Sequence, residues 1–104
     1  NSVVVDRAGG YAGMFYSHGT DATHDCVLQL ILDKDNEEYT IAESGTIHPG
    51  ESLRKMELKP DMASRLEEGT YHGRLRINLH KNDDESKKYT TDMNTDIDVV
   101  IVVK

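Results

Sequence analysis

Four residues that could ligate a soft metal ion lie close together in the sequence. Met14, His18, His24 and Cys26 span thirteen positions, and His24 and Cys26 share one side of a predicted strand, in which alternate side chains point the same way. Thioether, imidazole and thiolate ligands together favour Cu(I) or Zn(II). Because Cys26 is in phase with apolar core positions, we expect a buried thiol, surface histidines and no bound metal. Copper or zinc binding is the second hypothesis for function.

Two acidic clusters offer the oxygen ligands that Ca²⁺ requires. They are Asp33, Asp35 and Glu37, and Asp83, Asp84 and Glu85. The first cluster lacks the glycine and the bidentate glutamate that a helix-loop-helix calcium site carries at its sixth and twelfth positions. Exposed loops at hairpin tips are commonly polar, so we predict solvated loops at both places and no bound calcium.

The nucleophilic side chains have no catalytic context in this sequence. Ser17, Ser44, Ser52 and Cys26 occur together with five histidines, but none lies in a Gly-x-Ser-x-Gly turn or beside a recognisable oxyanion loop. A domain of this size also has little volume for a deep pocket with convergent polar groups. The sequence therefore predicts a protein that is not an enzyme.

A row of basic side chains is predicted on the solvent face of one strand. His72, Arg74, Arg76 and His80 alternate with the aliphatic residues of that strand, so they are expected to point away from the core. Such a row could bind an acidic partner protein or an anionic glycan. The alternative, which we favour, is cross-strand pairing with acidic residues such as Asp96.

Composition and charge limit the class of protein. With 104 residues, 37% of them hydrophobic and 30% charged, the chain is expected to be one domain over residues 1–104. Its formal net charge of −7 disfavours nucleic acid, which is a polyanion. No apolar run reaches membrane-spanning length, so membrane insertion is not expected. The single cysteine excludes an internal disulfide.

Apolar residues alternate with a period of two along most of the chain, which predicts strands. The predicted strands cover residues 2–6, 11–17, 24–33, 39–42, 53–58, 71–80 and 95–104. One helical turn is predicted within residues 59–68. About seven strands at short intervals fit a sandwich of two antiparallel sheets better than a barrel.

Two local motifs have a structural interpretation. Pro49 fixes φ and Gly50 permits the left-handed region, so together they predict a tight turn of type II. Further along, Gly69 and Tyr71 precede an alternating strand. This is the position of a tyrosine corner, in which a ring packs inside while its hydroxyl bonds to the upstream backbone.

Combined in order, these motifs give the chain a family resemblance. It resembles bacterial immunoglobulin-like or fibronectin type III-like β-sandwich modules of Gram-positive surface and secreted proteins. The residues that carry the resemblance are Ile47-x-Pro49-Gly50-x-Ser52 and Leu66-x-x-Gly69-x-Tyr71, each followed by a strand, within 26–104. The resemblance implies that Tyr71 is the corner tyrosine and that Gly69 is the turn residue before its strand.

The resulting expectation is an all-β, immunoglobulin-like sandwich with no catalytic activity. It would act as an adhesion, spacer or accessory binding module at the cell surface or outside the cell. A protein or glycan partner fits this role, and the chain would be a monomer or part of a larger multidomain protein. Apolar Val100 and Val102 on the outward side of the last strand predict that a second element or a neighbouring domain covers that side.

Overall fold

The computed structural model describes residues 2–22, 24–81 and 93–104. Within these ranges the chain forms seven strands and one short helix. The elements are β1 (Ser2–Asp6), β2 (Tyr11–Ser17), β3 (His24–Lys34), β4 (Glu37–Glu43), β5 (Ser52–Glu57), α1 (Met62–Arg65), β6 (Gly69–Lys81) and β7 (Met93–Val103). The all-β prediction is confirmed. The described ranges contain no helix with the length and hydropathy needed to cross a membrane.

The strands form one sheet in the order β4-β3-β6-β7-β1-β2-β5. All neighbours are antiparallel except β1 and β7, which run parallel with Ser2 opposite Val100. The sheet curls until its two outermost strands meet, and a bridge joins Ala42 of β4 to Leu58 just after β5. The two separate sheets expected from the sequence are thus replaced by one curled sheet, because β1 is hydrogen-bonded to strands on both sides.

One apolar core fills the inside of the curl. Every strand contributes to it, and the alternation predicted for β3 is confirmed. Its largest fully buried side chains are Leu28, Leu30, Leu32, Ile41, Met56, Ile101, Val5, Val103 and Cys26. On the opposite side of β3, Val27 and Ile31 are also buried, so the central part of the outer face is covered by neighbouring side chains.

The turns follow the local chemistry of the sequence. Asp35 and Asn36 have φ values of 53° and 65°, which are the left-handed values that a two-residue type I′ hairpin turn between β3 and β4 requires. At the predicted type II turn, Gly50 has a φ of 88° and the Glu51 N–H donates to the carbonyl of His48 at 3.0 Å.

Tyr71 links the start of β6 to the chain that precedes it. Its hydroxyl donates to the backbone carbonyl of Glu67 at 2.9 Å, which is the contact expected of a tyrosine corner. Gly69 is the first residue of β6, and its α-carbon lies against the same ring, since a Cβ there would be 3.4 Å from the Tyr71 hydroxyl.

Gly73 marks the closest approach of β6 to its neighbours. It is buried and lies opposite Leu32 on β3 and Val99 on β7. A Cβ at this position would overlap the Cδ1 atom of Ile101 and the backbone carbonyl oxygen of Ile31. The absence of a side chain is therefore a packing requirement at this position.

We predict that Tyr71→Phe lowers the free energy of unfolding by about 1 kcal/mol, because it removes one hydrogen bond and leaves the Glu67 carbonyl without its partner. Urea denaturation measures the change. Tyr11→Phe is the matched control, because no hydrogen bond of the Tyr11 hydroxyl is found within the described ranges, and it should change stability by less than about 0.5 kcal/mol. If both substitutions lowered the free energy of unfolding equally, the hydrogen bond of the tyrosine corner would not be stabilising.

We predict that Gly73→Ala lowers the free energy of unfolding by about 3 kcal/mol, since the added methyl group forces backbone and side chains apart. Gly45→Ala is the control, because a Cβ at Gly45 meets no atom within 4 Å. Thermal melts of the two variants should therefore diverge. A Gly73→Ala melting temperature equal to that of the wild type would refute the close approach.

Candidate functional site

The four residues predicted as a soft-metal set are placed in different surroundings. Met14 is half-buried against the core, and Cys26 is fully buried. His18 is also buried, so the surface position expected for it from the sequence is wrong. Its Nε2 lies 2.6 Å from the backbone oxygen of His24 and its Nδ1 lies 3.1 Å from the hydroxyl of Tyr16. In the part of the chain that the structure describes, no group of three or more His, Cys, Asp or Glu side chains is arranged to hold a metal ion.

Two of these side chains, Cys26 and His18, are joined through Tyr16 in a hydrogen-bond relay, which we define as Cys26, Tyr16 and His18. The Cys26 thiol donates to the Tyr16 hydroxyl at 3.9 Å. A carbonyl oxygen can only accept, so His18 carries its proton on Nε2, and Nδ1 accepts from the Tyr16 hydroxyl. Both ring nitrogens of His18 are thus used by protein groups, which makes the relay a structural feature of the β2–β3 end.

Burial raises the pKa values of two members of the relay, Tyr16 and Cys26. It raises the pKa of Tyr16 to about 12, with further contributions from the adjacent Cys26. Burial also raises the pKa of Cys26 above its usual 9.0, which outweighs the opposing effect of the Tyr16 hydrogen bond. The nucleophilic and metal-binding form of cysteine is the thiolate. Cys26 therefore stays a neutral thiol near pH 7 and behaves as a core residue.

The serines are also used by the fold. The Ser44 hydroxyl accepts the Leu28 N–H at 2.8 Å and donates to the Gly45 carbonyl at 2.8 Å. Ser17 and Ser52 face each other across the β2–β5 ladder. Neither arrangement resembles a nucleophile held by a base, in which the hydroxyl donates to an imidazole or carboxylate.

The predicted basic row is largely neutralised. Arg76 makes a bidentate pair with Asp96, at 2.8 and 3.0 Å, and Arg74 pairs with Glu38 and lies 3.7 Å from Asp33. The Arg76 hydrogen bond lowers the pKa of Asp96. This is the cross-strand pairing that the sequence favoured.

His80 departs from the predicted row. His72 is exposed, as expected, but His80 is only 3% exposed and lies opposite the buried Asp25 in the β3–β6 ladder. At this end of β3 the chain around Ile47 adds a further β bridge, and the His48 imidazole makes a close electrostatic contact with Asp25 at 2.9 Å. The solvent exposure predicted for His80 from the sequence is therefore wrong, because this end of the sheet has additional cover.

The acidic hairpin between β3 and β4 is solvated at its tip. Asp35 and Glu37 are exposed, and Glu37 accepts a hydrogen bond from the Tyr39 hydroxyl at 2.6 Å. Asp33 lies beside Arg74 instead of converging on the other carboxylates. The second acidic cluster, at positions 83–85, lies outside the described residues.

An apolar surface emerges that the sequence predicted only in part. Three outward-facing side chains on β1, β2 and β7 are exposed, and we call them the outer strip: Val4 at 39%, Phe15 at 60% and Val100 at 40%. Val100 lies opposite Ser2, and Val4 lies opposite Val102, so the strip crosses adjacent strands. The pattern of Val100 and Val102 indicated part of this surface, but the contribution of Val4 and Phe15 depends on which strands pair.

Two cations lie beside the outer strip. The guanidinium carbon of Arg54 is 5.3 Å from the centroid of the Phe15 ring. The Lys55 ammonium is 5.1 Å from the centroid of the Tyr11 ring. Both contacts lie within the range of cation–π interactions. This side of the sheet therefore combines exposed aliphatic, aromatic and basic groups.

A small pocket opens at the opposite end of β3, beside the tyrosine corner, and we call it the corner pocket. Its volume is about 150 Å³. It is lined by Leu32, Lys34, Asp35, Tyr39, Met62, Arg65, Leu66, Glu67 and Tyr71. The lining comes from the β3–β4 hairpin, from α1 and the chain after it, and from β6, so no local sequence pattern signals it.

Comparison of the chain with protein-family models, curated proteins and solved structures finds no match of any of the three kinds.

We predict that stability declines as pH rises from about 9 to 12. The unfolded chain releases the Cys26 and Tyr16 protons near their usual pKa values of 9.0 and 10.0, while the folded state retains them. The stability that this difference contributes is present below pH 9 and is lost at higher pH. Tyr16→Phe should make the decline between pH 10 and 12 shallower in urea titrations. Tyr11→Phe is the control, because Tyr11 lies outside the relay. If stability declined equally steeply with pH in the wild type and in Tyr16→Phe, Tyr16 would not be the source of the decline.

Proposed function

We propose that this chain is a non-catalytic, immunoglobulin-like binding module of a larger cell-surface or secreted protein. The strand order supports the architecture, because β4, β3, β6 and β7 lie on one side of β1, and β2 and β5 lie on the other. Seven strands and a tyrosine corner are features of immunoglobulin-like domains. The surface location follows from the resemblance to modules of Gram-positive surface proteins.

The outer strip is the main structural support for the proposed binding role. Phe15 exposes 60% of its surface on the outside of a sheet, where an aromatic ring that served only packing would be turned inward. Contiguous apolar patches rimmed by polar residues mark interaction sites, and Val4 and Val100 lie two ladder positions apart on the paired strands β1 and β7. Strands hold Val4, Phe15 and Val100 in fixed positions, so little conformational entropy is lost when a partner binds.

The flanking charges indicate the chemistry of the partner. Arg54 and Lys55 lie over the aromatic rings of this face, whereas the chain as a whole has a net charge of −7. Aromatic residues and arginine are enriched in the centres of protein interfaces. We therefore assign the strip to a partner protein whose surface presents acidic side chains around an apolar centre.

The test uses a displayed library of short random peptides, selected on the wild-type protein and counter-selected on Val100→Lys. We expect the recovered peptides to combine acidic and apolar residues. A synthetic copy of such a peptide should bind Val100→Lys and Phe15→Ala roughly tenfold more weakly than wild type, and more weakly at high salt. Isothermal titration calorimetry measures both effects.

Thr46→Lys is the matched control, because it adds the same charge at an exposed loop position away from the strip. It should leave the affinity unchanged. Thermal melts establish that each variant is folded before its affinity is measured. Peptides that bind wild type, Val100→Lys and Phe15→Ala equally, or the recovery of no binders, would overturn the assignment and leave a spacer.

A further inference from the structure

The corner pocket has an apolar interior. Leu32 is almost fully buried, and the side chains of Met62, Leu66 and Tyr71 pack against the core cluster. The hydroxyl of Tyr71 is already bonded to the Glu67 carbonyl, and that of Tyr39 to the Glu37 carboxylate. Because both hydroxyls are occupied, the two tyrosines offer mainly their rings to a ligand.

The size of the corner pocket selects a single small group. Its volume is about 150 Å³, and an apolar protein cavity of about that volume accommodates one benzene molecule. A branched aliphatic or phenyl side chain has the same scale.

Charges of both signs line the same pocket. Lys34 and Glu67 lie 3.7 Å apart and largely neutralise each other. Asp35 and Arg65 also line the pocket, and neither has an ion-pair partner among residues 2–22, 24–81 and 93–104. Both act on the nearby Tyr39 hydroxyl, whose pKa is raised chiefly by its bond to Glu37, further raised by Asp35 and lowered by Arg65. One anion and one cation therefore remain available to a ligand.

We propose that the corner pocket binds a free α-amino acid with an apolar side chain. The side chain occupies the space between Leu32, Met62 and Leu66, the ligand carboxylate pairs with Arg65, and its ammonium group pairs with Asp35. An arginine fork suits a carboxylate, and an amino acid is the smallest common molecule that joins both charges to one apolar group. This site lies apart from the outer strip and does not depend on it.

The test is titration of the isotopically labelled protein with L-leucine and L-phenylalanine, followed by NMR chemical shifts. We expect saturable shifts at the pocket residues, with a dissociation constant of about 1 mM, as suits so small a ligand. Glycine should bind at least about tenfold more weakly, because it buries no side chain. The carboxylate-only analogue 4-methylpentanoate and the ammonium-only analogue 3-methylbutylamine should each bind about fivefold more weakly than leucine.

Two surface substitutions test the charges. Arg65→Gln and Asp35→Asn should each weaken leucine binding about fivefold, and asparagine tolerates the left-handed backbone of position 35. Arg54→Gln is the matched control for Arg65→Gln and should leave binding unchanged. The proposal would be overturned if neither amino acid gave saturable shifts, or if glycine or either single-charge analogue bound as tightly as leucine. Full affinity for leucine in both charge variants would also overturn it. Val100→Lys should retain leucine binding, so failure at the outer strip and failure here are distinguishable.

Discussion

The fold depends on the position of β1, which is hydrogen-bonded on both sides. It runs antiparallel to β2 and parallel to β7, so the strands on either side cannot separate into independent sheets. This single sheet buries its apolar face by curling on itself, and Val3 and Val5 lie inside that curl. The same pairing brings Val4 beside β7 on the outside, which creates the outer strip. Core and candidate interface are thus two sides of one strand.

Local alternation predicted the individual strands well. The bounds of β1 and β2 match the sequence expectation, and β3, β6 and β7 differ from it by one or two residues at their ends. This success has a physical reason, since a period of two reports directly on which side of a strand is buried. The turn at Pro49 and Gly50 and the contact of Tyr71 were also predictable, because each depends on residues a few positions apart.

The pairing of strands was not predictable in the same way. The parallel contact of β1 with β7 joins the two ends of the described chain, and periodicity carries no information about it. His80 is buried opposite Asp25, next to the bridge between Cys26 and Ile47, and these residues are distant from His80 in sequence. The corner pocket has three separate segments as its walls, and for the same reason sequence reasoning missed it.

The meeting of β4 and β5 has a consequence for how the protein behaves at high concentration. Unsatisfied strand edges are templates on which other molecules add strands, leading to cross-β aggregates. Here the bridge from Ala42 to Leu58 and the bond from the Lys59 N–H to the Ile41 carbonyl occupy part of that edge. The remaining positions of these two edge strands carry charged side chains, which disfavour the addition of another strand. They are Glu37, Glu38, Glu43, Arg54, Lys55 and Glu57. The curl therefore leaves less of the β4 and β5 edges unpaired than a flat sheet of the same strands would.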